Sequence, residues 1–296
     1  MRNKKEEIYY NLMMLPAMVL LFIFSIVPML GVVIAFQRFI PAKGVLGSPY
    51  VGLANFAKLF LYRDVGQVFY NTIYISLAKI ILGLIVPVVF ALLLNETRFR
   101  FFKRTVQTVV YLPYFLSWVV LAVMFNNIFS YTGIANIITK ALGSEPVMYM
   151  INNSAFRPIV ILTDVWKNFG YGAIVYLAAI TSIDPRLYEA ADIDGANRYQ
   201  KMRYITLPSI LSVIILMATL SLGNVLNAGF EQIFAMATPL VYQSSDIIDT
   251  YVYRMGLISL QFSFATAVGL LKSVVSFFLI VLSYVLADRY AGYRIF

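Results

Sequence analysis

Residues 189–208 read EAADIDGANRYQKMRYITLP, with three acidic and three basic side chains in twenty positions. The 296-residue chain around them is 61% hydrophobic and only 12% charged, with a mean hydropathy of +0.80. Those values lie outside the range of soluble globular domains and inside that of polytopic membrane proteins. A charged island in such a chain marks a place where it leaves the bilayer, so the island divides the sequence into spans before and spans after it.

Working outward, six stretches reach the length of about 20 residues that a helix needs to cross the hydrocarbon layer. They are 12–36, 68–94, 106–129 and 156–180 before the island, and 207–233 and 264–287 after it. The predicted fold class is therefore all-α, a polytopic membrane protein with six transmembrane helices. The fourth stretch is the least apolar, because Asp164, Lys167 and Asn168 interrupt it. The run from Leu12 to Phe36 exceeds a leader's apolar region and has no small-residue cleavage pattern after it, which predicts a retained first span. Lys and Arg at 2–5, 98–104, 186–203 and 289–294 number thirteen, against seven at Arg38, Lys43, Lys58, Arg63, Lys140, Arg157 and Arg254. The positive-inside bias then predicts a cell-membrane protein with both termini cytoplasmic. The predicted division is a cytoplasmic N-terminus 1–11, a membrane domain 12–287 containing a cytoplasmic segment 184–206, and a cytoplasmic C-terminus 288–296.

The chain has no Cys and no His. That removes thiolate nucleophiles, disulfides, imidazole acid–base chemistry and Cys/His metal sites. A net charge of +9 fits basic residues flanking membrane spans, with lipid and not nucleic acid as the partner. No phosphate loop of the form G-x-x-x-x-G-K-S/T occurs, so the chain is not predicted to hydrolyse ATP. The external segments PAKGVLGSPYVG (41–52), YTGIANIITKALGSEP (131–146) and ATPLVYQSSDIID (237–249) are turn-rich and too short to fold as separate domains.

Within the island's approach, Asp184 before Pro185 predicts a helix start, with Asp as cap and Pro in the first helical position. Two turns of PRLYEAADI then meet Asp194 and Gly195, which permit a tight turn. Ala190, Ala191, Gly195 and Ala196 admit close backbone approach, while Leu187, Tyr188, Ile193 and Tyr199 offer apolar anchors. Two readings fit: a helix that docks in a partner's groove, or an ordinary charged loop between spans.

The order Glu189, Ala190, Ala191, then Asp194, Gly195, Ala196, then Ile205, Leu207 and Pro208 resembles the EAA motif of binding-protein-dependent ABC importer permeases. YVGLANFAKLF (50–60) resembles the GLxNF element of sugar permeases of the maltose type, and VVYLPYFLSWVV (109–120) resembles their third span. The resemblance covers essentially the whole chain, and within the family it is similar to permeases for oligosaccharides and complex sugars. It implies the six-helix type I importer permease fold and a coupling helix seated in a cytoplasmic ATPase, with Tyr188, Glu189, Ala190, Ala191, Asp194, Gly195 and Ala196 at the contact. Leu207 and Pro208 would mark the return into the fifth span. It further implies a second homologous permease, two copies of the ATPase that binds ATP and Mg, an extracellular solute-binding protein and an oligosaccharide cargo. The chain itself would hold no cofactor.

For the cargo's path, the fifth span offers LSLGNVLNAGFEQIF (220–234), where helical spacing predicts Asn224, Asn227 and Glu231 on one face. Polar groups in a membrane face a partner, a pore or water. Amides and carboxylates bind vicinal sugar hydroxyls, and Phe230 or Tyr171 could stack against a pyranose ring. The resemblance places asparagines of the matching span along the sugar path of maltose-type permeases. Asp164 and Lys167 are predicted to pair across one helical turn, with the alternative that Lys167 meets an acidic sugar. Lys79 and Lys272 are also embedded, and Lys272 is the preferred substrate candidate because Ser273 and Ser276 adjoin it. Two rivals to the importer stay open: an ion-coupled transporter using Asp164 or Glu231, and a membrane-embedded enzyme using the acids of 184–194.

Overall fold

The computed structural model describes residues 4–291; Arg2 and Arg294, and the ends of the two predicted terminal segments, lie outside them. The described chain is helical, with one isolated antiparallel bridge between Gln37 and Tyr50. Its described residues divide into two units, one formed by 4–65 with 251–273 and the other by 66–250 with 274–291.

In the first unit, α1 (Lys4–Leu21) continues through a π turn at Phe22–Ile26 into Val27–Met29 and a 3-10 stretch at Leu30–Phe36. Pro28 has no N–H and its ring crowds the carbonyl four residues back. The widened turn just before it, closed by Val27 N–H donating to Phe22 O, absorbs that misfit and keeps the span going. Pro208 is preceded by the same device, a π turn at Met202–Thr206. The GLxNF element has a structural purpose. Asn55 is buried, and its amide donates to Ala35 O at 2.8 Å and Gln37 O at 2.9 Å, satisfying carbonyls where the first span ends.

The second unit is organised on α2 (Arg63–Asn95), which runs through Pro87 unbroken. Its buried positions Val68, Asn71, Thr72, Ile75, Ser76 and Lys79 recur every three or four residues, so one face enters the interior. After α2 come α3 (Arg100–Tyr111), a 3-10 turn at Leu112–Phe115 and α4 (Trp118–Ile128), capped by Ser117. The third predicted span is thus bent by 105°, at the turn that holds Pro113. Then follow α5 (Ile134–Ala141) and α6 (Asn153–Thr181). The cytoplasmic segment supplies α7 (Pro185–Ile193), and α8 (Leu211–Leu222) leads to α9 (Phe230–Met236). The last helix, α10 (Phe262–Ala291), belongs to both units. One core cluster joins Ile75, Leu121, Phe125, Phe156, Val160, Ile233 and Met236; another joins Val88, Ala91, Tyr176, Leu177, Ile180 and Ile210.

Among the described residues, Tyr9–Phe36, Asp64–Asn95 and Phe262–Val285 are long and apolar enough to cross a membrane. The count reaches five if the bent pairs Arg100–Phe115 with Trp118–Ile128, and Arg198–Ser209 with Leu211–Leu222, each form one span. α6 has the length, at 29 residues, but its charged and amide side chains keep it below that level of apolarity. The chain is therefore an all-α, multi-pass membrane protein.

The fifth predicted span is not one helix. It stops at Leu222, crosses residues 223–229 as turns and irregular chain, and restarts at Phe230 after Gly229, whose φ is +96°. Asn224, Asn227 and Glu231 therefore do not share a helical face, because the first two lie in the unwound segment and only Glu231 is on the restarted helix.

Candidate functional site

The charged island builds a rigid corner. Asp184 accepts a hydrogen bond from Arg186 N–H at 3.0 Å, and Pro185 occupies the first helical position, so α7 begins where its sequence dictates. It ends in a left-handed turn at Gly195, φ +75°. There Ala196 N–H donates to Ala191 O at 2.9 Å and Gly195 N–H to Asp192 O at 3.1 Å, the two bonds of a Schellman stop. Asn197 and Gln200 then bond reciprocally to each other's backbone N–H groups, at 2.9 and 2.7 Å, and launch Arg198–Lys201. Lys201 pairs with Asp192 across the corner, and Tyr188 Oη meets Thr206 Oγ1 at 2.9 Å.

The corner leaves its anchors uncovered. Ile193 is 87% exposed, Tyr204 72% and Tyr199 69%, with Leu187 half exposed. Glu189, Ala190, Asp194 and Gly195 are solvent-facing, Ala191 and Ala196 are partly covered, and Leu207 and Pro208 lie beyond the π turn at the entry to the next helices. Amphipathic helices with exposed apolar side chains are the form that seats in the grooves of partner proteins.

A second site lies in the membrane part of the second unit. A cleft of about 260 Å³ is lined by Ser76, Lys79 and Gly83 of α2, Asp164 of α6, Ser221, Asn224 and Asn227, among others. Lys79 Nζ stands 3.2 Å from Asp164 Oδ1 and donates at 2.8 Å to Ala228 O in the unwound segment. It also reaches Gln232, fully buried, whose amide donates to Val160 O at 2.8 Å and Thr163 Oγ1 at 2.9 Å. The lysine thus satisfies one carbonyl that the break leaves without a helical partner, one of the ways broken helices persist inside a membrane protein. A Cβ on residue 229 would sit 2.9 Å from Lys79 Nζ, so glycine admits both the left-handed turn and the ammonium.

Asn224 and Asn227 line the cleft, with Asn227 Nδ2 donating to Asn224 Oδ1 at 3.1 Å. Of the other pathway candidates, Phe230, Glu231, Lys167 and Tyr171 of the same unit do not line it. Glu231 is exposed on α9, and Phe230 stacks on Phe234 with centroids 5.3 Å apart. Lys272 is half-buried on α10. Tyr171 stacks face to face on Tyr114 at 3.9 Å, which already covers one ring face. The predicted Asp164–Lys167 pair is replaced by Asp164–Lys79. Lys167 instead donates to Tyr114 O at 3.1 Å and Leu116 O at 2.8 Å, carbonyls that the bend in the third span strips of helical partners. Ser76, Ser221, Gln232 and Lys79 as Asp164's partner are not among the residues predicted for this site. A signal for two of them was present: Asn71, Thr72, Ser76 and Lys79 form a polar stripe at helical spacing within an apolar run.

Among the described residues no group of three or more acidic, His or Cys side chains could hold a metal ion. Residues 79–292 match the family described as "Binding-protein-dependent transport system inner membrane component". The chain is 41% identical over 96% of its length, and 89% of the relative's, to the polygalacturonan/rhamnogalacturonan transport system permease protein YteP of Bacillus subtilis. It is 29% identical over 83% of its length, and 77% of the relative's, to the arabinooligosaccharides transport system permease protein AraP of Halalkalibacterium halodurans. Its fold matches a chain in the crystal structure of a bacterial ABC transporter involved in the import of the acidic polysaccharide alginate, with a TM-score of 0.89, 34% identity and 97% of both chains covered. The chain belongs to the binding-protein-dependent transport system inner membrane components, as a non-catalytic permease of the sugar and oligosaccharide branch of the ABC importers.

Proposed function

We propose that the chain is one of two homologous permeases in an importer that takes up oligosaccharide fragments of complex polysaccharides, anionic ones included, delivered by an extracellular binding protein. In this reading all six predicted stretches cross the membrane in the type I importer arrangement, with 1–11, 184–206 and 288–296 cytoplasmic. Two copies of an ATPase, carrying ATP and Mg, receive Tyr188, Glu189, Ala190, Ala191, Asp194, Gly195 and Ala196, and motion returns to the membrane through Leu207 and Pro208. Asn224 and Asn227 line the sugar's path at the cleft, and Phe230, Glu231, Lys167, Tyr171 and Lys272 are the further pathway candidates. The ion-coupled alternative has less support, because Asp164 is engaged by Lys79 at 3.2 Å.

The observation that carries the reading is the pre-built α7 corner with its apolar anchors exposed on an otherwise membrane-embedded chain. The test is ATP hydrolysis by the reconstituted assembly with and without loaded binding protein, comparing wild type with Glu189→Ala and Gly195→Trp. Stimulated hydrolysis should collapse in both while the basal rate survives in Glu189→Ala. Unchanged stimulation in both variants would sink the coupling assignment.

A further inference from the structure

We propose that Lys79, with Ser76 one turn before it on α2, is the group of the membrane cleft that reads a carboxylate on the cargo, and that Asp164 is the internal carboxylate it holds until the cargo arrives. The proposal rests on the oligosaccharide-import reading above and adds to it the residues that sense charge. Among the described residues lining the cleft, Lys79 is the one cation and Asp164 the one anion. Ser76 is 2% exposed, lines the cleft, and its Oγ has no hydrogen-bond partner among the described residues. A buried hydroxyl of that kind favours any incoming group that satisfies it, because leaving it unmet carries its full desolvation penalty. A Ser O–H and a Lys N–H at i and i+3 on one face point at neighbouring spots, the two-donor arrangement a carboxylate accepts. Asn224, Asn227 and Ser221 on the facing wall supply donors and acceptors for the hydroxyls of the same sugar.

Exchange is physically balanced. The Lys79 side chain is 8% exposed and that of Asp164 20%, so the carboxylate is the partner with access to water in the cleft. A uronate taking its place on Lys79 leaves Asp164 at the wetter position, hydrated and charged, while Lys79 keeps its bond to Ala228 O. No proton need move.

The experiment compares binding of trigalacturonate and of its fully methyl-esterified form, which lacks the charge, to the assembled transporter in nanodiscs without binding protein, by saturation-transfer NMR. Lys79→Gln combined with Asp164→Asn keeps a neutral hydrogen-bonded pair and so guards against misfolding; Asp164→Asn alone leaves the ammonium uncompensated. Wild type should prefer the charged sugar, the double variant should lose that preference by roughly tenfold, and Asp164→Asn should raise it, on the scale of one charge-assisted hydrogen bond. Equal losses for both sugars in the double variant, or weaker binding of the charged sugar by Asp164→Asn, overturn the proposal. So does a wild type that binds neither form; ATP-driven uptake in the same preparation would then leave the importer reading standing alone.

Discussion

Tyr188 and Thr206, eighteen positions apart, meet hydroxyl to hydroxyl at 2.9 Å, and Thr206 is buried at the end of the π turn that precedes Leu207 and Pro208. The bond ties α7, proposed above as the ATPase-docking helix, to the base of the next helices by a route other than the chain itself. A push on α7 therefore reaches Thr206 directly. Tyr188→Phe keeps the ring and removes the tie. It should lower stability by no more than about 1 kcal/mol and leave assembly and basal hydrolysis intact. Stimulation by loaded binding protein should fall several-fold. If stimulation is unchanged, force passes through the 194–206 loop alone.

Gly195 isolates a conformational effect. A Cβ there would meet nothing within 4 Å, yet the residue holds φ +75°. Gly195→Ala is thus opposed by backbone geometry only, at about 1–2 kcal/mol, and Gly195→Val should be worse because the β-branched chain excludes that region more strongly. Both should speed amide exchange at Ala196 and Gly195, whose N–H groups form the Schellman stop. Exchange rates equal to wild type would show that the corner holds without its left-handed residue.

Asn55 is tested in the first unit. Its two bonds, to Ala35 O and Gln37 O, are both buried, so Asn55→Ala abandons two carbonyls and should destabilise by roughly 2–4 kcal/mol. Asn55→Asp replaces the donating amide with an acceptor and should be no better. Thermal unfolding in detergent reads the effect. A variant as stable as wild type would mean that water reaches those carbonyls.

Much of this was legible in the sequence because the relevant signals are local. Asp184–Pro185 starts α7 and Gly195 stops it through first-turn and last-turn chemistry that a few residues contain in full. The apolar runs at 12–36, 68–94 and 264–287 announce themselves by length. What failed was pairing at a distance. Asp164 and Lys167 are three apart and invite each other, but α6 turns Asp164 toward α2, and Lys79, 85 positions earlier, takes it. Lys167 is drawn away by carbonyls freed at the bend of another helix. The break at 223–229 escaped notice for the same reason: LSLGNVLNAGF is apolar enough for a span, and what sustains its unwinding is a lysine from elsewhere in the chain.

Lys167 separates a structural from a cargo-binding function. It is 9% exposed, bonds two carbonyls of the Tyr114–Leu116 bend, and lies over the rings of Trp118 and Tyr114 at 5.3 and 5.7 Å. Lys167→Met fills similar volume but donates nothing, leaving both carbonyls bare in a low-dielectric setting where each unmet group is expensive. The unfolding midpoint in detergent should drop by several degrees, corresponding to roughly 2–4 kcal/mol. Uptake per folded transporter should stay within about twofold of wild type, since a change confined to structure leaves the transport step of surviving molecules intact. A stable Lys167→Met protein with lost uptake of acidic sugar alone would return Lys167 to the cargo's path and count against Lys79 as the cleft's charge reader.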